Sequence, residues 1–217
     1  MTIFSIINST AVLPTQTMEN ATITIEDGVI IDIAENGPAT ERYVNAEGAI
    51  CMPGIIDSHS DGFEMEPRPR PSVRLPLDFS IQSFEAKVRA AGVTTLFHGI
   101  GFENDGNRTV ESANAYVDII HEYSSSPTVM MNHRVLYRLD ARDADGFIAL
   151  CARIELDRQV DAKPLVSFED HTPGQGQYRD RTYLENWIMG SRNMTREEAV
   201  AHVDQILIER EAVRHSY

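Results

Sequence analysis

At 217 residues the chain can bury a substantial core in one or two domains. Its 42% hydrophobic and 24% charged residues are those of an ordinary soluble globular protein, and no apolar run approaches the roughly 18 residues of a membrane span. A net charge of −14 argues against a broad nucleic-acid surface.

The amino terminus, MTIFSIINST, lacks a basic n-region and a small-residue cleavage site, so a cytoplasmic protein without a secretory signal is expected. The first fifty residues read as β. SIINSTAVL, ATITIEDG and VIIDIAE are short β-branched segments, and Glu26-Asp27-Gly28 divides the second from the third as a hairpin turn does. The expected domains are therefore a small β module over 1–50 and a second region over 51–217.

In that second region apolar strands alternate with amphipathic helices. The strand AICMPGIID precedes a helix near FSIQSFEAKVRAAG, in which Ile81, Phe84 and Val88 share a face and Gly92 ends the helix. VTTLFHGI, a helix near TVESANAYVDIIHEY, the strand TVMMNHRVLYRL, a helix near DGFIALCARIELDRQ and the strand PLVSF follow. Near the end TREEAVAHVDQILIERE opens with Thr195 and Glu198 at capping-box spacing. Strand, helix, strand repeated means a parallel sheet with functional residues in the loops after the strand C-termini. His59, Asp61, His98, Asp140, Asp170 and His171 stand at those places.

Within GIIDSHSDGFE, the period of an extended segment points His59 and Asp61 to the same side, as ligation of one cation requires. A hydrogen-bonded pair in a polar loop explains the same residues. Arginines gather in islands: Arg68, Arg70 and Arg74; Arg134, Arg138 and Arg142; Arg179 and Arg181. Their planar forks suit a small anion, and a solvated surface suits each of them equally. HTPGQGQ contains the turn dipeptide Pro173-Gly174 and lacks the G-x-x-x-x-G-K of a phosphate loop. His121, His202 and His215 fall on helical stretches and read as surface or packing residues. Cys51 and Cys151 form no CxxC pair and read as reduced thiols, Cys51 in the core.

The β module, then NAEGAICMPGIID-x-H, then a βα series resembles the amidohydrolase superfamily of metal-dependent hydrolases. PGIIDSHSDGFEMEPRPRPSVRLP, AAGVTTLF, HRVLYRLDARD and VSFEDHTPGQGQYRD resemble one branch of it, the α-D-ribose 1-methylphosphonate 5-triphosphate diphosphatases of the carbon–phosphorus lyase pathway, and DHTPGQ is the most specific of these motifs. The resemblance implies an α/β fold: a small β module followed by an incomplete (β/α)8 barrel. It implies release of pyrophosphate from a ribose 5-triphosphate during phosphonate catabolism. His59, Asp61, Asp140 and His171 match the metal ligands, with Asp170 catalytic. Arg134 and Arg138 match that branch's pattern, and Arg68, Arg70 and Arg74 directly follow the first metal strand, so their loop is expected over the mouth of the site; with Gln175 these are the expected contacts to a phosphorylated sugar. The implied cofactor is one or two divalent ions, zinc ahead of manganese or iron. Three departures stand out: Leu136 and Asp140 replace the histidine and glutamate of H-R-x-H-x-R-x-E, and His98 stands where an acid is expected.

Four strand–helix units are too few to close an eight-stranded barrel. The chain is therefore expected to be a fragment or truncated product, weakly stable or self-associated through its open half-barrel, with no nucleic-acid or membrane partner. Two rival readings remain. One is an amidohydrolase acting on a C–N bond, whose first motif would be H-x-H. The other is a non-catalytic scaffold that keeps the fold without metal chemistry.

Overall fold

The computed structural model describes residues 2–104, 108–140, 143–159, 163–170, 172–174 and 176–213. They divide into two compact units, 1–55 and 56–217. The amino-terminal unit is a β sheet of β1 (Ile3–Val12), β2 (Thr17–Glu26), β3 (Val29–Glu35), β4 (Tyr43–Asn45) and β5 (Ile50–Cys51). β3, β2, β1 and β4 lie side by side in that order, and β5 also pairs with β1. The β2–β3 hairpin turns where the sequence indicates: Glu26 pairs with Val29 across a two-residue loop. Asp27 and Gly28 take φ of 48° and 84°, the left-handed conformation that matches the twist of the flanking strands. Ala11, Ala21 and Ile23 form the buried centre, and Cys51 packs on it.

The second unit is built on four parallel strands, β6 (Ile55–Ser60), β7 (Val93–Gly101), β8 (Asn132–Asp140) and β9 (Leu165–Glu169), adjacent in sequence order. α1 (Gly62–Met65) and α2 (Leu77–Ala90) link the first pair, α3 (Val110–Ser124) the second and α4 (Ala144–Asp157) the third. The α/β class and the incomplete barrel expected from the sequence are what this unit shows.

Strand alternation sorts the side chains. On β7, Leu96 and Ile100 turn to the helices, and on β8 Val135, Tyr137 and Leu139 do the same. They pack against Phe63, Ile81, Phe84, Val117 and Ile120 in one core. The other face of these strands carries Gly99, Gly101, Arg138 and Asp140, and β7 and β8 are locked in register there, Gly99 opposite Leu136 and Gly101 opposite Arg138.

Local chemistry fixes the helix ends. Gly92 follows α2 with φ of 87°. Thr109 and Ser112 exchange hydrogen bonds in a capping box at the start of α3, and the Asp143 carboxylate accepts from the Gly146 N–H at 2.7 Å to start α4. The sequence gives no helix between PLVSF and TREEAV, yet α5 (Arg181–Arg192) lies there, capped by Asp180 and ended by Asn193 in the left-handed region. It pairs with α6 (Arg196–Val213), where Leu184, Ile188, Ala199 and Val203 meet in a small core. Such a short apolar face is legible only once its partner helix is known. Thr195 and Glu198 cap α6 at the spacing the sequence indicates. Among the described residues no helix is long and apolar enough to cross a membrane.

Candidate functional site

A cavity of about 610 Å³ opens in the second unit, and its floor is made by the ends of the parallel strands. His59 comes from β6 and Asp61 from the residue that follows it, Arg138 and Asp140 from β8, Glu169 from the end of β9 and Asp170 from the residue after it. β7 contributes glycine in place of a side chain. A Cβ on Gly99 would lie 2.7 Å from the Asp61 carboxylate and 2.9 Å from Arg138 Cδ. The bare backbone there is what lets the two charged groups meet.

Arg138 is the centre of the floor. Its Nη1 donates to Asp61 Oδ1 at 2.6 Å, its Nε donates to Glu169 Oε1 at 2.6 Å, and its Nη2 reaches the second oxygen of Glu169. Burial alone would weaken the guanidinium's hold on its proton, but the Glu169 hydrogen bond and the charges of Asp61 and Glu169 outweigh it and raise the Arg138 pKa. The fork of arginine matches the Glu169 carboxylate edge to edge. His59 Nε2 lies 3.3 Å from the same Asp61 oxygen. Asp170 accepts from the Thr172 N–H at 2.9 Å and from its hydroxyl, which fixes the carboxylate in the loop after β9.

A second arginine closes one side. Arg108 donates from Nε to Glu64 at 2.8 Å and from Nη1 to Glu103 at 3.0 Å. Glu64, on α1 and 5% exposed, also accepts from the Gly101 N–H, so it ties the helix to the β7 end. The remaining wall is helical: Leu184, Trp187, Ile188 and Arg192 from α5, His202 and Ile206 from α6, with Tyr178 from the 3-10 turn Gly176–Tyr178.

Of the residues singled out in the sequence, His59, Asp61, Arg138, Asp140 and Asp170 come together at this cavity. His171 and Gln175 lie outside the described residues. Arg68, Arg70 and Arg74 are not among the described residues that line the cavity. Their segment folds back on itself, Leu75 donating to the Pro67 carbonyl at 2.9 Å, while Glu66 beside it is held by Ser83 and Lys87 of α2. Arg134 is exposed at the start of β8, four residues and about 13 Å of strand before Arg138.

His133 and His98 belong to the helix side of the sheet. His133 donates towards Glu85 at 3.0 Å, and its other nitrogen meets His98 Nε2 at 2.8 Å. Both are packing residues there. His202, read from its helical position as surface or packing, lines the cavity, and so do Glu103, Arg108, Glu169, Tyr178, Trp187 and Arg192. Only Glu169 had a sequence signal, its place beside Asp170 at a strand end.

His59 and Asp61 present a nitrogen and an oxygen to one cavity, a donor set that suits zinc, manganese or iron. Among the described residues no three His, Cys, Asp or Glu side chains are arranged to hold a metal ion. A divalent ion at the pair would need a further protein donor and would compete with Arg138 for Asp61.

No family model matches the chain. It is 25% identical over 194 residues to the alpha-D-ribose 1-methylphosphonate 5-triphosphate diphosphatase of Escherichia coli (strain K12), covering 88% of this chain and 50% of that protein. A shorter stretch of 43 residues is 42% identical to the imidazolonepropionase of Salinispora tropica, covering 19% of this chain and 11% of that protein. The chain spans about half the length of the first relative and a smaller part of the second. Among solved structures, a triazine hydrolase variant superposes with a TM-score of 0.53 at 14% identity, over 76% of this chain and 45% of that one. The chain thus resembles the amidohydrolase superfamily in sequence and has part of its fold.

Proposed function

We propose that this chain carries part of a divalent-metal-dependent hydrolase of phosphoric anhydrides, which releases pyrophosphate from a ribose 5-triphosphate in phosphonate catabolism. The observation that carries the reading is the meeting of His59, Asp61, Arg138, Asp140 and Asp170 at the ends of three strands around one cavity. The resemblance along 88% of the chain to a diphosphatase supports the same reading. His59 and Asp61, with His171, would hold the ion, which when bound supplies Lewis acidity and a water of lowered pKa.

The chain's own groups would do the rest. Asp170, whose carboxylate accepts from Thr172, would accept a proton from the attacking water. Arg138, once Asp61 turns to the ion, has an Nη1–H to give to a phosphoryl oxygen while Glu169 keeps its fork oriented. Asp140, 8% exposed, stands beside them as a further carboxylate for the ion.

A second reading is hydrolysis of a C–N bond. The carboxylates on the lining favour it, since Asp61, Glu103, Asp140, Glu169 and Asp170 outnumber the three arginines there. One assay separates the two: the purified chain with added manganese or zinc is offered a ribose 5-triphosphate and a panel of cyclic amides and aminopurines. Pyrophosphate release that is lost in Asp61→Asn supports the anhydride reading. Ammonia release or ring opening without pyrophosphate would overturn it.

A further inference from the structure

Arg138 stands between two carboxylates that are held very differently. The Glu169 side chain is 16% exposed and takes the arginine fork along two bonds, from Nε at 2.6 Å and from Nη2. Asp61 is 46% exposed, faces the cavity and is joined to Arg138 by Nη1 alone, at 2.6 Å. Glu169 is therefore the anchor. The Asp61 bond is the one that can open without leaving a buried charge unpaired. Arg108 also lies between two acids, Glu64 and Glu103, but both of those side chains are largely buried and neither offers such an exposed arm.

The charge at the centre is permanent. Burial works against it, yet the Glu169 hydrogen bond and the charges of Asp61 and Glu169 raise the Arg138 pKa. Arg138 cannot step aside by losing a proton; it has to let go of Asp61.

Asp61 Oδ1 is claimed from a second side. His59 Nε2 lies 3.3 Å from it, longer than an ordinary N–H···O bond. Bonds of roughly 2.0–2.1 Å at a tetrahedral angle set two zinc ligand atoms about 3.3 Å apart, so the pair already has the spacing of ligands on a shared ion. Two carboxylates against one guanidinium also leave the trio negative, which favours a cation over an anion as first arrival.

We infer that Arg138 is a tethered cation that competes with a divalent ion for Asp61, and that its release orders the two ligands of the cavity, ion before phosphate. When His59 and Asp61 hold an ion, Arg138 turns its Nη1 to an anionic phosphate. Without one, Nη1 stays on Asp61. The inference rests on the metal-dependent phosphohydrolase reading for both ligands, and adds the coupling between them, which by linkage is the same in either direction.

The whole chain is titrated with zinc by calorimetry, alongside Arg138→Gln, Arg138→Lys and each of these combined with His59→Gln. Zinc Kd is expected to fall about tenfold or more in Arg138→Gln, where Asp61 has lost its charge-assisted bond. It should fall less in Arg138→Lys, which keeps the charge and loses the fork. Adding His59→Gln should abolish the gain, which places it at this site. Ribose 5-phosphate is then titrated with and without saturating manganese. The metal-loaded parent should bind it more tightly than the metal-free parent, and the ratio of the two Kd values should shrink about threefold or more in Arg138→Gln. Circular dichroism checks that each variant is folded, and Arg138→Lys keeps the test open if Arg138→Gln is not. Folded variants whose zinc Kd stays the same or rises, or whose ribose 5-phosphate ratio matches the parent's, would overturn the inference. Tighter zinc binding and a smaller ratio in a chain that never cleaves an anhydride leave the coupling standing and sink the proposed activity. Anhydride cleavage with zinc binding indifferent to Arg138 does the reverse.

Discussion

His98 offers a sharp test of the helix-side core. Its ring is fully buried against Phe63 and Phe84 and stacks on His133 with centroids 5.1 Å apart. His133 gives its Nε2 proton to the Glu85 carboxylate, which leaves Nδ1 as an acceptor; His98 Nε2–H must therefore donate to it. Burial, with the nearby His133, pushes the His98 pKa down to about 3. The folded chain thus refuses a proton that the unfolded chain takes up below about pH 6.5. Stability is lost as pH falls from that value towards the folded pKa, and His98 alone removes about 2 kcal/mol between pH 6.5 and 4.5.

In His98→Leu that part of the slope disappears. At pH 7 two effects oppose each other in the variant. His133 Nδ1 loses its donor, while the buried Nδ1 of His98, which has no hydrogen-bond partner among the described residues, is removed. The net change at neutral pH is expected to stay within about 2 kcal/mol. Urea unfolding followed by circular dichroism at half-unit steps from pH 7.5 to 4.5 gives both curves. Identical acid slopes in the parent and in His98→Leu, or a His98 ring titrating near pH 6 by NMR, would refute the account.

Three further outcomes follow from the same structure. Gly99→Ala sets a methyl against Asp61 and Arg138, and should cost about 1–3 kcal/mol in thermal unfolding while displacing the carboxylate. Ile120→Ala empties a fully buried position in the core and should cost about 2–5 kcal/mol by urea titration, with the same denaturant dependence as the parent. Asp61→Asn removes the anionic donor beside His59 and should lower zinc or manganese uptake at least tenfold by calorimetry, with a modest loss of stability because Asp61 also accepts from the buried Arg138.

Much of the frame could be read from residue order. Asp27-Gly28 specifies its hairpin because only residues tolerant of positive φ turn so tightly, and Gly92 and the Thr195–Glu198 pair mark helix ends for equally local reasons. The His59–Asp61 pair was legible because two residues apart on a strand means one face. His202 was not legible, since a histidine on an amphipathic helix looks the same whether it faces water or a cavity. Arg68, Arg70 and Arg74 lie in a basic loop after the first strand, which suggests capture of an anion; among the described residues none of the three lines the cavity, and Glu66 just before them is bonded to Ser83 and Lys87.

By itself the sequence determined which residues are strand or helix in the main βα series and which strand ends carry charge, because hydrophobic period and capping act over a few neighbours. The tertiary structure alone decided that Arg138 sits between Asp61 and Glu169, residues 77 and 31 positions away, that His98 and His133 turn to the core, and that α5 and α6 wall the cavity. Those outcomes depend on strand register and on which helix face meets which sheet face, and both are settled by packing between segments that are far apart in the chain.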